Sequence, residues 1–225
     1  MCDLIELNSQ IIACRRCPRL VVHRERMARV KRRAYRDETY WGRPVPACGD
    51  PSARVLLVGL APGAHGSNRT GRMFTGDGSA EFLTPALYRA GFASQPTSTH
   101  AADGLRLEDL YIAAVAHCAP PGNRPSAVEI ARCRPFLIAH LDALPRLQVV
   151  IALGQLAFQG MLQTVQAQAV PLPTPKPRFA HRAEALLPGF TLLASYHPSR
   201  QNTQTGRLTV EMLDQVFRRA RQLLV

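Results

Sequence analysis

The fold is decided by the stretch Arg54-Val55-Leu56-Leu57-Val58-Gly59-Leu60-Ala61-Pro62-Gly63. Residues 55–60 are apolar, rich in branched side chains and without polar alternation, which is typical of a strand buried on both faces. The Ala-Pro-Gly that follows ends the strand and begins a loop. Strands of this kind occur in parallel sheets that helices cover on both sides. The stretch therefore predicts an α/β fold with a loop directly after this strand.

Further apolar runs predict three more strands, at residues 110–117, 147–154 and 190–196. Helical patterns lie between and after the strands, at residues 81–90, 127–144, 155–163 and 208–224, and Ser126 with Glu129 forms a capping box for the second of them. This alternation predicts a three-layer α/β/α sandwich with a central, mostly parallel four-stranded sheet. We expect one domain over residues 1–225, with a basic, cysteine-bearing segment of about residues 1–50 packed on it.

The charge of the chain indicates a polyanionic partner. The chain carries 28 arginines and lysines against 16 acids, a formal net charge of +12, and only Lys31 and Lys176 are lysines. Ten basic residues crowd into one segment, opposed only by Glu25: Arg15, Arg16, Arg19, Arg24, Arg26, Arg29, Lys31, Arg32, Arg33 and Arg36. This segment is either a phosphate-binding surface or a solvated basic helix, and the high density of like charge favours the first.

The sequence has no feature of a membrane or secreted protein. No stretch approaches the roughly 18 uninterrupted apolar residues of a membrane span. The N-terminus lacks a positive segment followed by a long apolar run. We therefore expect a cytoplasmic protein that does not associate with a membrane.

The cysteines indicate a metal centre rather than disulfides. Cys14 and Cys17 are spaced so that two thiolates on one tight turn can point at one centre, and Cys118 and Cys133 supply two more. Cys133 lies in an apolar series with helical spacing, which predicts an inward position. Four thiolates suit zinc and a [4Fe–4S] cluster alike, so the residues leave the metal open. The remaining cysteines, at positions 2 and 48, have no partner at metal-site spacing.

Polar loops follow three of the predicted strands at the edge where ligands bind in such sheets. The loop at residues 59–79 is rich in glycine and contains Phe74 and Asp77. Asp77 could equally cap the following helix. Asn123 lies between Pro-Pro-Gly and Arg-Pro, where it is either a base-reading amide or a turn residue. His197 follows the last strand directly and precedes a proline, so its ring has a defined position at this edge.

Together these segments resemble the uracil-DNA glycosylase superfamily, and most closely its type-5, or B-type, iron–sulfur branch. The resemblance rests on the four cysteines and on four motifs that span nearly the whole chain. The motifs are Gly-Leu-Ala-Pro-Gly at 59–63, Asn-Arg-Thr-Gly-Arg-Met-Phe-Thr-Gly-Asp at 68–77, Cys-Ala-Pro-Pro-Gly-Asn-Arg-Pro at 118–125 and His-Pro-Ser-Arg-Gln-Asn-Thr at 197–203. Agreement at all of these positions by chance is implausible.

The resemblance implies a [4Fe–4S] cluster with a structural and DNA-positioning role, held by Cys14, Cys17, Cys118 and Cys133. It also implies that the protein binds DNA containing uracil, acts as a monomer and begins base excision repair. A flipped-out uracil would contact Gly59, stack on Phe74 and be read by Asn123. His197 would contact a uracil carbonyl, and Asp77 would position water or stabilise the sugar cation. The DNA-contacting residues would be Arg69, Arg200, Gln201, Asn202 and Arg207.

Two departures from related branches predict a looser pocket. Other branches carry an acidic or amide residue in the first motif, where this chain has Leu60 and Ala61. The A-type iron–sulfur relatives read the base with an asparagine at the position that is Ala114 here. A looser pocket would accept other deaminated bases, so we expect activity on hypoxanthine as well as uracil.

Two other functions are compatible with parts of the sequence. A non-catalytic iron–sulfur protein that binds nucleic acid would explain the charge and the cysteines, but it leaves Asp77, Asn123 and His197 without a role. A zinc-stabilised nucleotide hydrolase would use the glycine-rich loop and the arginines. That loop lacks the Gly-Lys-Ser/Thr ending of a phosphate-binding P-loop, so nucleotide hydrolysis has little support.

Overall fold

The computed structural model describes residues 3–224, and within them one sheet has the strand order β1-β3-β2-β4-β6-β5. The strands are β1 (Cys48–Gly49), β2 (Val55–Gly59), β3 (Leu110–Ala114), β4 (Val149–Leu153), β5 (Glu184–Leu187) and β6 (Phe190–Ser195). The α-helices are α1 (Leu4–Ala13), α2 (Pro18–Val30), α3 (Ser67–Thr70), α4 (Gly78–Arg89), α5 (Ala127–Ala143), α6 (Gln155–Ala167), α7 (Arg200–Gln204) and α8 (Val210–Gln222). Short 3-10 helices form at Arg33–Tyr35 and Pro121–Asn123.

The central strands β3, β2, β4 and β6 are parallel, and an antiparallel strand lies at each edge of the sheet. In β2, Leu57 is paired with Ile112 of β3 on one side and with Ile151 of β4 on the other. The chain passes from β2 to β3 and then returns to the opposite side of β2 to form β4. Such a reversal of strand order opens a crevice at the carboxyl ends of the strands.

Helices cover both faces of the sheet. Val55 and Leu57 of β2 face α4 and α8, whose apolar side chains form one core. Leu56 and Val58 face the opposite core, to which α5 and α6 contribute. Because every residue of β2, β3 and β4 is buried, these strands are apolar throughout. The predicted three-layer α/β/α class is confirmed.

The four predicted strands are confirmed, but the sheet has two more than the predicted four. β1 has only two residues, too few to produce a pattern in the sequence. β5 alternates between exposed and buried residues, as a half-solvated edge strand does, and so it lacks the continuous apolar run that identified the others. The predicted second strand is shorter than expected, because residues 115–117 form the loop that leads to Cys118.

The four predicted helices are present with shifted ends. α4 begins at Gly78 because the side chain of Asp77 caps it, and α8 begins at Val210 because Thr209 caps it. The predicted capping box of Ser126 and Glu129 is confirmed at the start of α5. The helices α1, α3 and α7 were not predicted, and α2 lies in the basic segment for which a solvated helix was one of two interpretations.

The N-terminal helix α1 packs against α5. Leu7 and Ile11 of α1 are buried together with Phe136 of α5. Asn8 extends this contact to the sheet, because its side chain donates a hydrogen bond to the carbonyl of Ala47 and accepts one from the amide of the same residue, both at 3.0 Å. The segment that carries Cys14 and Cys17 is therefore held against the α/β core.

The described helices include none that is both long enough and apolar enough to cross a bilayer.

Gly160 in the middle of α6 provides a test of the packing between this helix and the sheet. Alanine normally stabilises a helix interior relative to glycine by about 1 kcal/mol. At this position a Cβ atom would lie 2.6 Å from Cγ2 of the buried Val115. We expect Gly160→Ala to lower the free energy of unfolding by about 1–3 kcal/mol, measured by urea denaturation.

The Gly160→Ala/Val115→Ala double variant should be less destabilised than the sum of the two single variants, because the second change removes the clash. Gln166→Ala, at an exposed position of the same helix, serves as the control and should be nearly neutral. A Gly160→Ala protein as stable as the parent would contradict this account of the packing.

Candidate active site

A cavity of about 470 Å³ lies at the carboxyl ends of the parallel strands. Five residues predicted from the sequence line it together, although they come from three separate segments of the chain: Gly59, Phe74, Asp77, Asn123 and His197. Gln201 from the predicted DNA-contacting loop also lines it, and so does Ala114 at the end of β3. This volume is within the usual range of small-ligand sites, so one nucleobase can be accommodated.

The aromatic wall of the cavity depends on the glycine at the end of β2. The ring of Phe74 lies so close to Gly59 that a Cβ atom at this position would be 2.8 Å from the ring Cζ. Phe74 itself has a left-handed backbone with φ of 47°, which is uncommon for a bulky residue. Its ring centroid is 6.1 Å from that of His197, with the two planes inclined by 37°. A larger residue at position 59 would displace the ring.

Asp77 is both a helix cap and a lining residue of the cavity. Its Oδ1 accepts hydrogen bonds from the amides of Ser79 and Ala80, each at 3.0 Å. Its Oδ2 faces the backbone of the preceding loop, where a Cβ atom at Gly66 would lie 2.0 Å from it. Burial raises the pKa of the Asp77 carboxyl, and the two amide hydrogen bonds oppose this rise. The two uses weighed in the sequence analysis are therefore compatible.

His197 presents a half-buried, neutral imidazole to the cavity. Burial lowers its pKa to about 4, so the ring carries one N–H donor and one acceptor at neutral pH. Asn202 donates a hydrogen bond to the carbonyl of His197 at 2.8 Å and so fixes the backbone after β6. Gly154, with φ of 93°, allows the end of β4 to lie close to His197, because a Cβ atom at position 154 would be 3.2 Å from Cβ of His197.

Asn123 projects from the 3-10 turn that follows Cys118. Its backbone is left-handed with φ of 56°, and its backbone N–H donates to the carbonyl of Pro120 at 3.2 Å. The residue is exposed, and its carboxamide makes no hydrogen bond with any residue of 3–224. Both the donor and the acceptor of the carboxamide are therefore available to a ligand.

The predicted DNA-contacting residues are placed in two different ways. Arg200, Gln201 and Arg207 are exposed on or beside α7, next to the cavity, whereas Asn202 is partly buried and holds His197 as described above. Arg69 does not join them. It is buried, donates to the carbonyls of His65 and Gly76 at 2.8 and 2.7 Å, and pairs with Glu38. In this position Arg69 holds the loop after β2 together, and only 8% of its side chain is exposed.

The four predicted metal ligands come together at a separate, small cavity between the N-terminal segment and α5. Cys14, Cys17, Cys118 and Cys133 all line it. Burial raises the pKa of the Cys118 and Cys133 thiols to about 12. Arg16 donates to Sγ of Cys14 at 3.4 Å. Within residues 3–224, however, no three histidine, cysteine or acidic side chains are arranged to coordinate one metal ion.

Cys48 lies outside this arrangement, whereas His117 lines the same cavity as the four thiols. Cys48 is on β1, away from the four thiols, and Cys2 falls outside the described residues. His117 precedes a predicted ligand, but its Nδ1 is hydrogen bonded to the carbonyl of Val45 at 2.7 Å.

Leu156 is a lining residue that the sequence analysis did not single out. It is in the first turn of α6, directly after β4, and its side chain is 44% exposed at the cavity. Its only signal in the sequence was its position after a strand of the parallel sheet.

The fold and the cavity define a parallel α/β protein that can enclose a base-sized ligand between a carboxylate and an imidazole. A family model described as the uracil DNA glycosylase superfamily matches residues 46–221. The chain belongs to this superfamily.

The relatives locate the chain more narrowly in the type-5 branch, which confirms the resemblance noted above. A type-5 uracil-DNA glycosylase of Mycobacterium leprae is 51% identical over 220 residues, covering 97% of this chain and 94% of the relative. The type-5 uracil-DNA glycosylase of Thermus thermophilus is 50% identical, with 95% and 94% covered. A type-4 uracil-DNA glycosylase of Archaeoglobus fulgidus is more distant, at 30% identity over 69% of this chain.

The titration of His197 tests the electrostatics of the cavity. We expect its imidazole to stay neutral down to about pH 5, because burial holds its pKa near 4, against about 6.5 in an unfolded chain. The unfolded state then binds more protons, so His197 contributes a loss of stability as the pH falls from about 6.5 towards 4. Ring nitrogen shifts of ¹⁵N-histidine-labelled protein would measure the pKa, with His197→Gln used to assign the signal.

The same variant provides a second readout, since His197→Gln should lose less stability than the parent over this pH interval. A midpoint for His197 close to that of a solvated histidine would contradict the burial argument.

Proposed function

We propose that this protein is a uracil-DNA glycosylase that hydrolyses the N-glycosidic bond of a uracil flipped into the cavity at the end of β2 and β6. The observation that carries the proposal is the presence of Asp77 and His197 in one cavity, with Phe74 as an aromatic wall. The names and the near full-length coverage of the type-5 relatives support the same activity.

The two polar residues match the charges that develop in this reaction. Cleavage breaks the bond between C1′ of deoxyribose and N1 of uracil, whose electron pair leaves with the base, and a water oxygen bonds to C1′. Positive charge therefore develops on the sugar and negative charge on the uracil. The neutral imidazole of His197 can donate its N–H to a uracil carbonyl as that charge grows. The carboxylate of Asp77 offsets the sugar charge or accepts the proton of the attacking water.

An unpaired basic surface on α2 and directly after it suits the DNA backbone. Arg26, Arg29, Arg32 and Arg33, at the end of α2 and after it, are exposed and form no ion pair within residues 3–224. Arg32 lies near the loop that follows β2, because its backbone N–H donates to the hydroxyl of Tyr40 at 3.4 Å, and this hydroxyl is hydrogen bonded to Nδ1 of His65 at 3.1 Å. We assign these arginines to the phosphates that flank the flipped nucleotide.

We extend the proposal to hypoxanthine. Uracil and hypoxanthine both present a carbonyl next to a ring N–H, whereas the parent bases cytosine and adenine present an amino group next to an unprotonated ring nitrogen. The free carboxamide of Asn123 can pair with the first pattern. The cavity has Leu60, Ala61 and Ala114 where a more selective site would have further polar side chains, so a purine can be accommodated.

A strand-cleavage assay tests the activity and the site together. The substrates are duplexes with one uracil, one hypoxanthine or no damaged base, treated with alkali after incubation. The parent should cleave the first two. Asp77→Asn keeps a residue type that caps helices well, so the protein should fold and bind DNA but lose activity by about 100-fold or more.

Asp142→Asn is the matched control, because Asp142 is exposed near the end of α5 and does not line the cavity. Full activity in Asp77→Asn would remove this residue from the mechanism. DNA binding without cleavage by the parent would favour the non-catalytic alternative, and cleavage at uracil alone would refute the extension to hypoxanthine.

We further propose that Cys14, Cys17, Cys118 and Cys133 hold a [4Fe–4S] cluster. Zinc would require four sulfurs around one centre, at about 2.3 Å from it. A cluster binds each thiolate to a different iron, so its ligands surround a wider space. The four thiols line one cavity, but within residues 3–224 no three of them are arranged around a single ion. This arrangement fits a cluster better than it fits zinc. When bound, the cluster would link the turn before α2, the loop after β3 and α5.

Metal analysis after anaerobic purification tests the cluster. We expect a brown protein with about four irons and four acid-labile sulfides per chain. Cys133→Ser should lose most of the iron because it removes a ligand, whereas Cys48→Ser should keep it because Cys48 lies on β1 outside the cavity. A colourless protein with one zinc per chain would contradict the proposal.

A further inference from the structure

Arg24 is a buried cation without a hydrogen-bonding partner for most of its guanidinium. The residue lies on α2, two turns after Cys17, and its side chain is only 2% exposed. Neither Nε nor Nη1 is accessible to solvent, and neither finds an acceptor among residues 3–224. The remaining nitrogen, Nη2, is 3.8 Å from the carboxylate of Glu25, which is 40% exposed. This contact is too long for a hydrogen bond.

Such an arrangement requires an explanation. A guanidinium remains charged in proteins, because its pKa is too high for burial to neutralise it. Buried charges in folded proteins are almost always paired or hydrogen bonded, since removing them from water is costly. The orphaned nitrogens are closed off from solvent, so a DNA phosphate at the surface cannot serve them. Their partner therefore lies inside the protein, and an anion would best compensate the buried charge.

The cysteine cavity is the internal site that would supply such a partner. Burial lowers the pKa of Arg24, and the thiolates of Cys118 and Cys14 are among the charges that raise it. Conversely, Arg24 is the strongest influence that lowers the pKa of Cys118, which burial raises. Geometry supports this link, because Leu20 and Val21 of α2 line the cysteine cavity and Arg24 follows them by four and three residues on the same buried face of the helix.

The other charges around the cavity have partners or lie in solvent. Glu129 is hydrogen bonded to Arg19 through both carboxylate oxygens, at 2.8 and 2.6 Å. Arg16 is exposed while it donates to Cys14, and Arg132 is exposed and donates to the carbonyl of Arg16 at 3.1 Å. Arg24 alone among these arginines is a fully buried positive charge next to the cysteines.

We propose that Arg24 is the buried counter-charge of the metal cluster and that its Nε and Nη1 donate hydrogen bonds to sulfur atoms on the Cys118 side of that cluster. This inference rests on the proposed cluster. Four thiolates and the sulfides of a [4Fe–4S] cluster carry net negative charge in either oxidation state, so the buried cation and the cluster each remove the other's desolvation cost.

The reduction potential is the property on which this role acts most directly. One-electron reduction of the cluster, for example by dithionite, adds a further negative charge. A nearby cation and hydrogen bonds to the sulfurs both stabilise the more negative state. Arg24 therefore raises the potential and slows loss of the cluster, and its removal should reverse both effects.

Three variants test the proposal. Arg24→Met keeps an unbranched chain of similar bulk without charge, Arg24→Lys keeps the charge but loses the fork of donors, and Arg29→Met removes an exposed, unpaired cation from the same helix. The readouts are iron content per chain and the reduction potential from a dithionite titration followed by electron paramagnetic resonance. We expect a lower potential and faster cluster loss in Arg24→Met, an intermediate potential in Arg24→Lys, and the parent's values in Arg29→Met.

A potential in Arg24→Met equal to that of the parent would overturn the proposal, because a merely structural arginine changes stability without changing the potential. If Arg24→Met retains no iron, its potential cannot be measured, and the iron content of Arg24→Lys tests the proposal instead. Iron content close to the parent's would support the counter-charge role of Arg24. Loss of iron as complete as in Arg24→Met would overturn that role. Zinc in the parent protein would instead refute the cluster itself, an outcome that the metal analysis separates from a failure of Arg24.

Discussion

Hydrogen bonding of β2 to a parallel strand on each side, β3 and β4, constrains where the polar loops of this chain lie. Parallel pairing directs the carboxyl ends of β2, β3, β4 and β6 to one edge of the sheet. The loops that carry Asp77, Asn123 and His197 follow three of these strands, so they meet there although up to 120 residues separate them. The reversal of strand order around β2 leaves a crevice between them. The site thus depends on apolar strands that contain none of its polar side chains.

Capping and catalysis make compatible demands on Asp77. A helix N-terminus orients free amides towards a carboxylate and carries partial positive charge. One oxygen of Asp77 accepts two such amides, while the other faces the loop beside the cavity. Burial raises the pKa of this carboxyl and the amides resist that rise. The helix therefore fixes the position of Asp77 and favours the ionised form that the proposed reaction requires.

Some of these features could be predicted from the sequence because they depend on local pattern. Continuous apolar runs identified the four central strands, and their order along the chain indicated which loops share an edge. The helix α1 was missed, and a helix at α2 was only one of two interpretations, because few apolar residues of these helices are buried: Leu7 and Ile11 in α1, and Leu20 and Val21 in α2. Arg69 was expected to contact DNA from the family resemblance, but its hydrogen bonds to His65 and Gly76 could not be anticipated without the fold of the loop. Local pattern does not report contacts between distant segments.

The arginines illustrate the same limit in the interpretation of net charge. An excess of +12 indicates a polyanion, yet the arginines of the chain serve three purposes. Arg69 and Arg72 donate hydrogen bonds to carbonyl and carboxylate groups inside the protein. Arg26 and Arg29 are exposed and form no ion pair within residues 3–224. Arg24 belongs to neither group, because it is buried and its donors lack protein acceptors. Only the exposed group can release counterions from DNA, so the salt dependence of binding should reflect fewer contacts than the net charge suggests. Arg69 and Arg72 instead stabilise loops, and Arg24 is assigned to the proposed cluster.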